Sequence, residues 1–358
     1  MKYIRDRLNE FDANNFIDEL FEASKQLGIL EAKISSYQFN SILIPMLRKK
    51  EAISSMYIEG TQTTISKVFE DELVPAKRPN KDAIEVRNHS KALIYGAEYL
   101  MTEKFSHSFI KKLHSILMSD IISPKYADTL GEYKKEDNKI TNSFGATVFT
   151  PPSFQKTEKY MDELIDFMNN NHDINPLIKT AIIHAQFESI HPFSDGNGRV
   201  GRLLISLCLY KAKVINFPFF YISEAISQDK AVYYNKLTHS RSNTYDEWIK
   251  YFLKKCIIQA QIHTQYIESL NELYAETKRK VVSCINSSKY ENVLKCLFTH
   301  PVLNSTYLAE ELKVSIAQSA RYLNILVDNH ILQTDDRKKN KRYYFSEVLE
   351  LARRGQHL

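Results

Sequence analysis

Glycine is scarce in this chain except in one place. Only 9 of the 358 residues are glycine, where roughly 7% is ordinary for a globular chain. Three of the nine, Gly196, Gly198 and Gly201, fall within six positions. A doubly wound nucleotide fold spends glycine in its turns and phosphate loops, so its scarcity here argues for an all-α chain with one glycine-dense loop. Apolar residues recur at helical period over 20–30, 37–57, 82–101, 108–119, 155–170, 176–190, 200–213 and 246–277. In 37–57 the pattern is carried by Phe39, Ile42, Leu43, Met46 and Leu47. One stretch breaks it: Thr147, Val148 and Phe149 follow Gly145 and stop at Pro151-Pro152, which reads as a short β-hairpin.

The tail has a different texture. After a polar break at 283–288, short helical stretches at 290–300, 304–312 and 316–329 lead into a polar turn and a strand-like run ending at Phe345. That order is the pattern of a winged helix-turn-helix. The expected organisation is an N-terminal helical region over 1–84, a core with a trailing helix over 85–282, and a winged helix over 283–358. No internal repeat and no low-complexity segment interrupts it.

Composition removes several classes. Cys208, Cys256, Cys284 and Cys296 show no CxxC spacing, so reduced thiols in a cytoplasmic protein are expected, not disulfides or a zinc site. The longest apolar run, about 203–210, is far short of the ~18 residues of a membrane span. A net charge of +5 from 48 basic and 43 acidic residues is too balanced to imply nucleic acid by itself. In the tail, Arg337, Lys338, Lys339, Lys341 and Arg342 could touch phosphates, but Asp335 and Asp336 dilute them. A solvated hairpin is favoured, with DNA binding left open.

The glycine loop reads His191-Pro-Phe-Ser-Asp-Gly-Asn-Gly-Arg-Val-Gly-Arg202. Its plain reading is a helix stop and restart. Against that, Arg199 and Arg202 share one face of the following helix, at spacing i, i+3, in first turns where a cation is disfavoured by roughly 0.3–1 kcal/mol. Arginines beside glycine-exposed amides suit a bound anion. A polyphosphate could take the amides around 196–198 and the Asn197 side chain, with the arginines on its outer phosphates. Asp195 is a hard oxygen ligand able to hold Mg²⁺. His191 is a candidate general base.

The segment HPFSDGNGRVGR resembles the signature of the Fic family, HPFx[D/E]GNGRxxR, at every defined position. The resemblance implies a helical Fic core and transfer of AMP from ATP to a protein hydroxyl on Tyr, Ser or Thr. It implies His191 as base, Asp195 as Mg²⁺ ligand, and a phosphate site made by Gly196, Asn197, Gly198, Arg199, Val200, Gly201 and Arg202. Phe193 would anchor the loop. Gly198 and Arg199 argue against the related Doc-type kinases, which lack the GNGR tetrad. Ala146, Thr147, Val148 and Phe149 resemble the flap over the Fic site, which pairs with the target by strand addition. Tyr233-Tyr234 resembles the pair lining the adenine pocket, with Tyr233 at the matching offset; two core aromatics are as good a reading. His184 reads as a core or site-lining histidine, since no third metal ligand lies at useful spacing.

Ser55-Met-Tyr-Ile-Glu59-Gly60 resembles the [S/T]xxxE[G/N] inhibitory helix of the same family. Glu59 lies at a helix C-terminus, where the dipole disfavours an anion, and position 55 is Ser, so it has no cation one turn back. The resemblance supplies a partner in Arg202. The expected function is therefore protein adenylylation with ATP and Mg²⁺, held in check by Glu59. Two alternatives stay open: removal of AMP from a modified protein at the same site, and a nucleotide-sensing DNA-binding regulator. The sequence leaves a homodimer open too.

Overall fold

The computed structural model describes residues 4, 6–7, 11–36, 40–73, 80–141, 145–170, 173–218, 220–242, 244–335, 337 and 340–354. The expected helix start at 37, with Phe39, and the wing residues Asp336, Lys338 and Lys339 fall outside them. The chain is helical throughout, with two small antiparallel strand groups. Helices α1 (Ile17–Ser36), α2 (Asn40–Ile58), α3 (Ile65–Leu73), α4 (Lys81–Thr102) and α5 (His107–Met118) lead to strands β1 (Ile140–Thr141) and β2 (Thr147–Phe149). Then come α6 (Phe154–Asn169), α7 (Pro176–Ile190), α8 (Asn197–Lys211), α9 (Ser223–Ser227), α10 (Lys230–Ser242) and the long α11 (Asp246–Cys284). The tail holds α12 (Tyr290–Thr299), β3 (Val302–Leu303), α13 (Ser305–Leu312), α14 (Ile316–Asp328), β4 (Gln333–Thr334), β5 (Tyr343–Tyr344) and α15 (Ser346–Arg353).

Helix starts follow local chemistry. Asn80, Ser106, Asn175, Asn304 and Ser315 each cap a helix by accepting a backbone N–H from its first turn, and Pro176 takes the first position of α7, where its missing N–H is not needed. Four of these helices escape the sequence pattern: α3, α9 and α15 are short, and α10 is largely polar. The last helix of the core, α11, continues seven residues past the expected 277 to Cys284.

The centre of the molecule is α7. Every residue from Thr180 to Ile190 is buried, so this helix has no solvent face and is wrapped on all sides. Trp248 of α11 donates its indole N–H to the Ala181 carbonyl at 2.7 Å, and Tyr245 donates to Gln186 at 3.0 Å. α8 returns antiparallel beside α7, and α1 runs along α11.

α2 is held by polar groups as well as apolar ones. Lys50 and Glu224 form a 3.2 Å ion pair in which each side chain is only 3% exposed. Glu51 accepts hydrogen bonds from the backbone N–H and the hydroxyl of Ser223. On its other side α2 meets α12, and Lys50 also donates to the Arg354 carbonyl. The three tail strands form one antiparallel sheet, β3-β5-β4. This sheet packs on α3: Arg342 pairs with Glu70 at 2.6 Å, and Tyr344 also donates to Glu70. One of the basic residues expected on a free wing is thus committed inside the molecule.

Buried titratable groups set the pH dependence of the fold. Burial pushes His89, His184 and His263 down to about 3 and His114 and His191 to about 4. Each is neutral when folded but takes a proton when unfolded below about 6.5. Their stabilisation is present above about 6.5 and is lost as pH falls through the folded values. Burial acts the other way on carboxyls, raising Glu51 to about 8 and Glu188 to about 7. Those two prefer to stay protonated, so their effect lowers stability as pH rises from the ordinary carboxyl range to about 8. Five histidines outnumber two carboxyls. Urea unfolding should therefore show stability climbing from pH 4 to a maximum near neutrality and slipping by pH 8; a flat profile from 4 to 7 would contradict it.

Candidate active site

The glycine loop joins α7 to α8. Its first residue, His191, caps α7 in the left-handed region at φ 50°, a conformation that costs a non-glycine residue about 1–3 kcal/mol. Gly196 then takes φ 75°, and a Cβ there would lie 2.5 Å from the Met118 sulfur. Phe193, fully buried, plugs the loop into the core, where its ring stacks on His114 at 3.9 Å.

The loop is clamped from outside by the segment before the flap. The Lys134 backbone N–H donates to the Pro192 carbonyl at 2.8 Å, and its ammonium donates to the Ile190 carbonyl. Asn138 donates to the carbonyls of both His191 and Phe193, at 3.2 and 3.1 Å. Four consecutive loop carbonyls, 190 to 193, are thus held by two side chains and one amide. His114 adds a fifth tie. Its Nδ1 accepts from the Gly131 N–H, so Nε2 carries the proton and donates to the Asp195 carbonyl at 3.1 Å. No motif marks Asn138, Lys134 or His114 along the chain, because they act on backbone atoms and need no spacing of their own.

His191 is neutral at pH 7. Burial lowers it most, and the cations of Lys134 and Arg241 lower it further, to about 4. An imidazole in that state can accept a proton.

Arg202 is almost wholly buried, with 1% of its side chain exposed. Its guanidinium donates to the Ser55 hydroxyl at 3.0 Å, the Ser55 carbonyl at 3.1 Å and the Glu59 carboxylate at 2.7 Å. Ser55, Glu59 and Arg202, 147 residues apart at the extremes, meet at one point. Burial would raise the Glu59 carboxyl, but Arg202 outweighs it and holds it below the ordinary value. The carboxylate lies directly over Gly198: a Cβ at that position would be 2.3 Å from Glu59 Oε1. Only glycine permits this approach, and the anion occupies the cradle. Gly60, at φ 93°, ends the turn after α2.

Arg199 bridges two carboxylates, Glu85 at 2.9 Å and Asp195 at 3.1 Å. Asp195 keeps 32% of its side chain exposed. Among the described residues no group of three His, Cys, Asp or Glu side chains gathers to hold a metal.

Several expected roles change. The Asn197 side chain is buried and tied to the Phe193 backbone, accepting its N–H and donating one of its two amide hydrogens to its carbonyl, both at 2.8 Å. It braces the loop from within. Val200 is fully buried, and Gly201 is where α8 crosses α7, against Glu188, Phe187 and His184. Tyr233 is 1% exposed and donates its hydroxyl to Nε2 of His184, whose Nδ1–H donates to the Gly201 carbonyl. Tyr233 is thus a core aromatic. Its neighbour Tyr234, 43% exposed, reaches the Ile58 carbonyl beside Glu59. In the flap, Thr147–Phe149 pairs with Ile140–Thr141, Ala146 precedes the strand, and Val148 is exposed. Arg241 of α10 lies 4.2 Å from the centre of the Phe149 ring, a cation–π tie between flap and core.

Comparison with known proteins fits this architecture. The Fic/DOC family model matches residues 104–209, and the Fic/DOC family N-terminal model matches 17–98. Together they span more than half of the chain, including the loop and the Glu59 turn. The chain belongs to the Fic/DOC family. Among Fic/DOC relatives, a probable protein adenylyltransferase from Aquifex aeolicus is 27% identical over 65% of this chain and 72% of its own length. Protein adenylyltransferase fic-1 from Caenorhabditis elegans is 30% identical over 29% of this chain and 22% of its own. A Fic family protein from Desulfovibrio desulfuricans shares the fold over 91% of this chain and 95% of its own, with TM-score 0.58 and 19% identity. Among the described residues no helix is long and apolar enough to cross a membrane.

The bracing of this Fic loop makes a prediction. Phe193→Ala should cost about 3–5 kcal/mol from the emptied core position. Asn138→Ala, which strands the His191 carbonyl and leaves that of Phe193 to Asn197 alone, should cost about 1–3 kcal/mol. Urea denaturation measures both; an Asn138→Ala cost below about 0.5 kcal/mol, within the range of ordinary surface substitutions, would show that the clamp is incidental.

Proposed function

We propose that the chain is a protein adenylyltransferase that moves AMP from Mg–ATP to a Tyr, Ser or Thr hydroxyl, and that Glu59 holds it in check. The observation that carries the activity is a neutral imidazole, His191, at the rim of a loop of amides and arginines, in a family whose relatives bear that name. In the proposed step the hydroxyl oxygen bonds to the α-phosphorus and its proton passes to His191. The bond from the α-phosphorus to the bridging oxygen breaks, and pyrophosphate leaves. The amides around Gly196–Gly198 and the arginines take the phosphates. Asp195, a partly exposed carboxylate beside the loop amides, suits a Mg²⁺ that arrives on those phosphates, since Mg²⁺ is commonly held by one or two carboxylates plus substrate oxygens.

The restraint is electrostatic and steric together. Arg202 cannot serve an outer phosphate while Glu59 holds it, and the carboxylate fills the space above Gly198. ATP bound around it would have its α-phosphorus out of line, and misplacement by about 1 Å can cost on the order of 10²-fold. We read 283–358 as a winged-helix module whose role is to position partners, given helices α12–α14, a three-stranded sheet and the closing helix α15.

The test is incorporation of labelled AMP by the protein itself and by lysate proteins. Glu59→Gly should label faster than the unmodified chain. Glu59→Gly combined with His191→Ala should lose about 10²–10⁴-fold relative to Glu59→Gly, the range for a general base. Absence of any labelling by Glu59→Gly would refute the activity. Equal labelling with and without Glu59 would refute the restraint.

A further inference from the structure

A second concavity lies at the opposite end of the α7–α8 pair. It is a cavity of about 510 Å³ formed by the first turns of α7, the last turn of α8, and the segments after α4 and α6. From Lys179 to His191 is twelve residues of helix, or about 18 Å at ~1.5 Å per residue. The cavity is therefore separate from the glycine loop and belongs to no part of the proposed reaction.

Its lining has an unusual charge pattern. Lys104, Lys179 and Lys211 all face it, and among the described residues no carboxylate does. None of the three forms an ion pair with another described residue. Lys211 donates to the Leu100 and Glu103 carbonyls, both at 2.8 Å, and Lys179 to the Asn170 carbonyl. Each ammonium has three donors, so one remains on Lys211 and two on Lys179. Burial holds the Lys179 ammonium below its ordinary value, a cost that an arriving anion would relieve. The floor is apolar, built from Phe105, Met168 and Ile183 with the buried Cys208 thiol beside them. Burial raises that thiol to about 12, so it adds no negative charge.

We propose that this cavity binds a small organic anion: a carboxylate or phosphate head among the three lysines, with an apolar body on the Phe105–Met168–Ile183 floor. Its volume falls in the roughly 300–1,000 Å³ range of small-molecule sites. The lysines are point charges without a fixed fork, so they accept either head group. What they reject is a neutral or cationic one.

Calorimetry on the full chain tests this with octanoate and octyl phosphate as probes, and octanol and octylamine as controls. Octanoate or octyl phosphate should bind saturably, at least about tenfold tighter than octanol, a difference of ~1.4 kcal/mol; octylamine should not bind. The head group that binds tighter identifies the class. Lys179→Met should weaken the anion at least about tenfold and leave octanol unchanged, while His191→Ala leaves both unchanged. Because Lys179 also ties a loop, a second variant, Ala212→Trp, fills the mouth from an exposed position and should abolish binding without unfolding. Anions that bind no tighter than octanol overturn the proposal. So does anion binding that survives Ala212→Trp.

Discussion

One buried guanidinium organises this molecule. Arg202 lies in the second turn of α8, and 99% of its side chain is shielded from water by the folded chain. A buried charge without a partner costs about 3–5 kcal/mol, so Arg202 must always be answered by an anion or by strong acceptors. In this structure the answer comes from the end of α2. The Ser55 hydroxyl, the Ser55 carbonyl and the Glu59 carboxylate converge on it. Glu59 has a problem of its own, an anion at a helix C-terminus. Each resolves the other, which is why α2 can end here.

The consequence is an exchange, not a simple opening. Glu59 cannot leave Arg202 empty, so whatever displaces it must bring negative charge of its own. In the proposed function that replacement is a phosphate, and it would compete with Glu59 for the open space above the Gly198 Cα, which the carboxylate fills here. α2 is itself anchored at mid-length by Lys50–Glu224 and Glu51–Ser223. The proposed exchange would then need only the last turn of α2 to give way, with the rest docked between the core and α12.

The loop itself is rigid by a different device. Its unusual backbone, with His191 and Gly196 both at positive φ, is over-determined by ties to carbonyls. This explains what could and could not be read from the residues. The glycine loop was legible because the backbone geometry demands rare residues at fixed spacing. That Glu59 needs a cation was legible from its place at a helix C-terminus, but that the cation is Arg202 came from the resemblance to the family's inhibitory helix. Asn138, Lys134 and His114 were invisible, since a donor to a carbonyl carries no spacing rule. Tyr233 and Tyr234 were interchangeable in the sequence: adjacent helical positions point about 100° apart, and only packing decides which one faces inward. α3, α9 and α15 were missed because they are too short for a period to stand out, and α10 because it is largely polar; such helices rest mainly on tertiary packing.

The most direct measurement of the central claim is the ratio of ATP to ADP affinity with and without Glu59, by calorimetry in the presence of Mg²⁺. If Arg202 is held by Glu59, the unmodified chain gains little from a γ-phosphate and binds the two nucleotides alike. Glu59→Gly should then favour ATP by about tenfold or more, or ~1.4 kcal/mol, as the freed guanidinium takes the outer phosphate. An ATP to ADP ratio that is the same in both proteins would contradict the account, because it would mean that Glu59 and the γ-phosphate do not compete for Arg202.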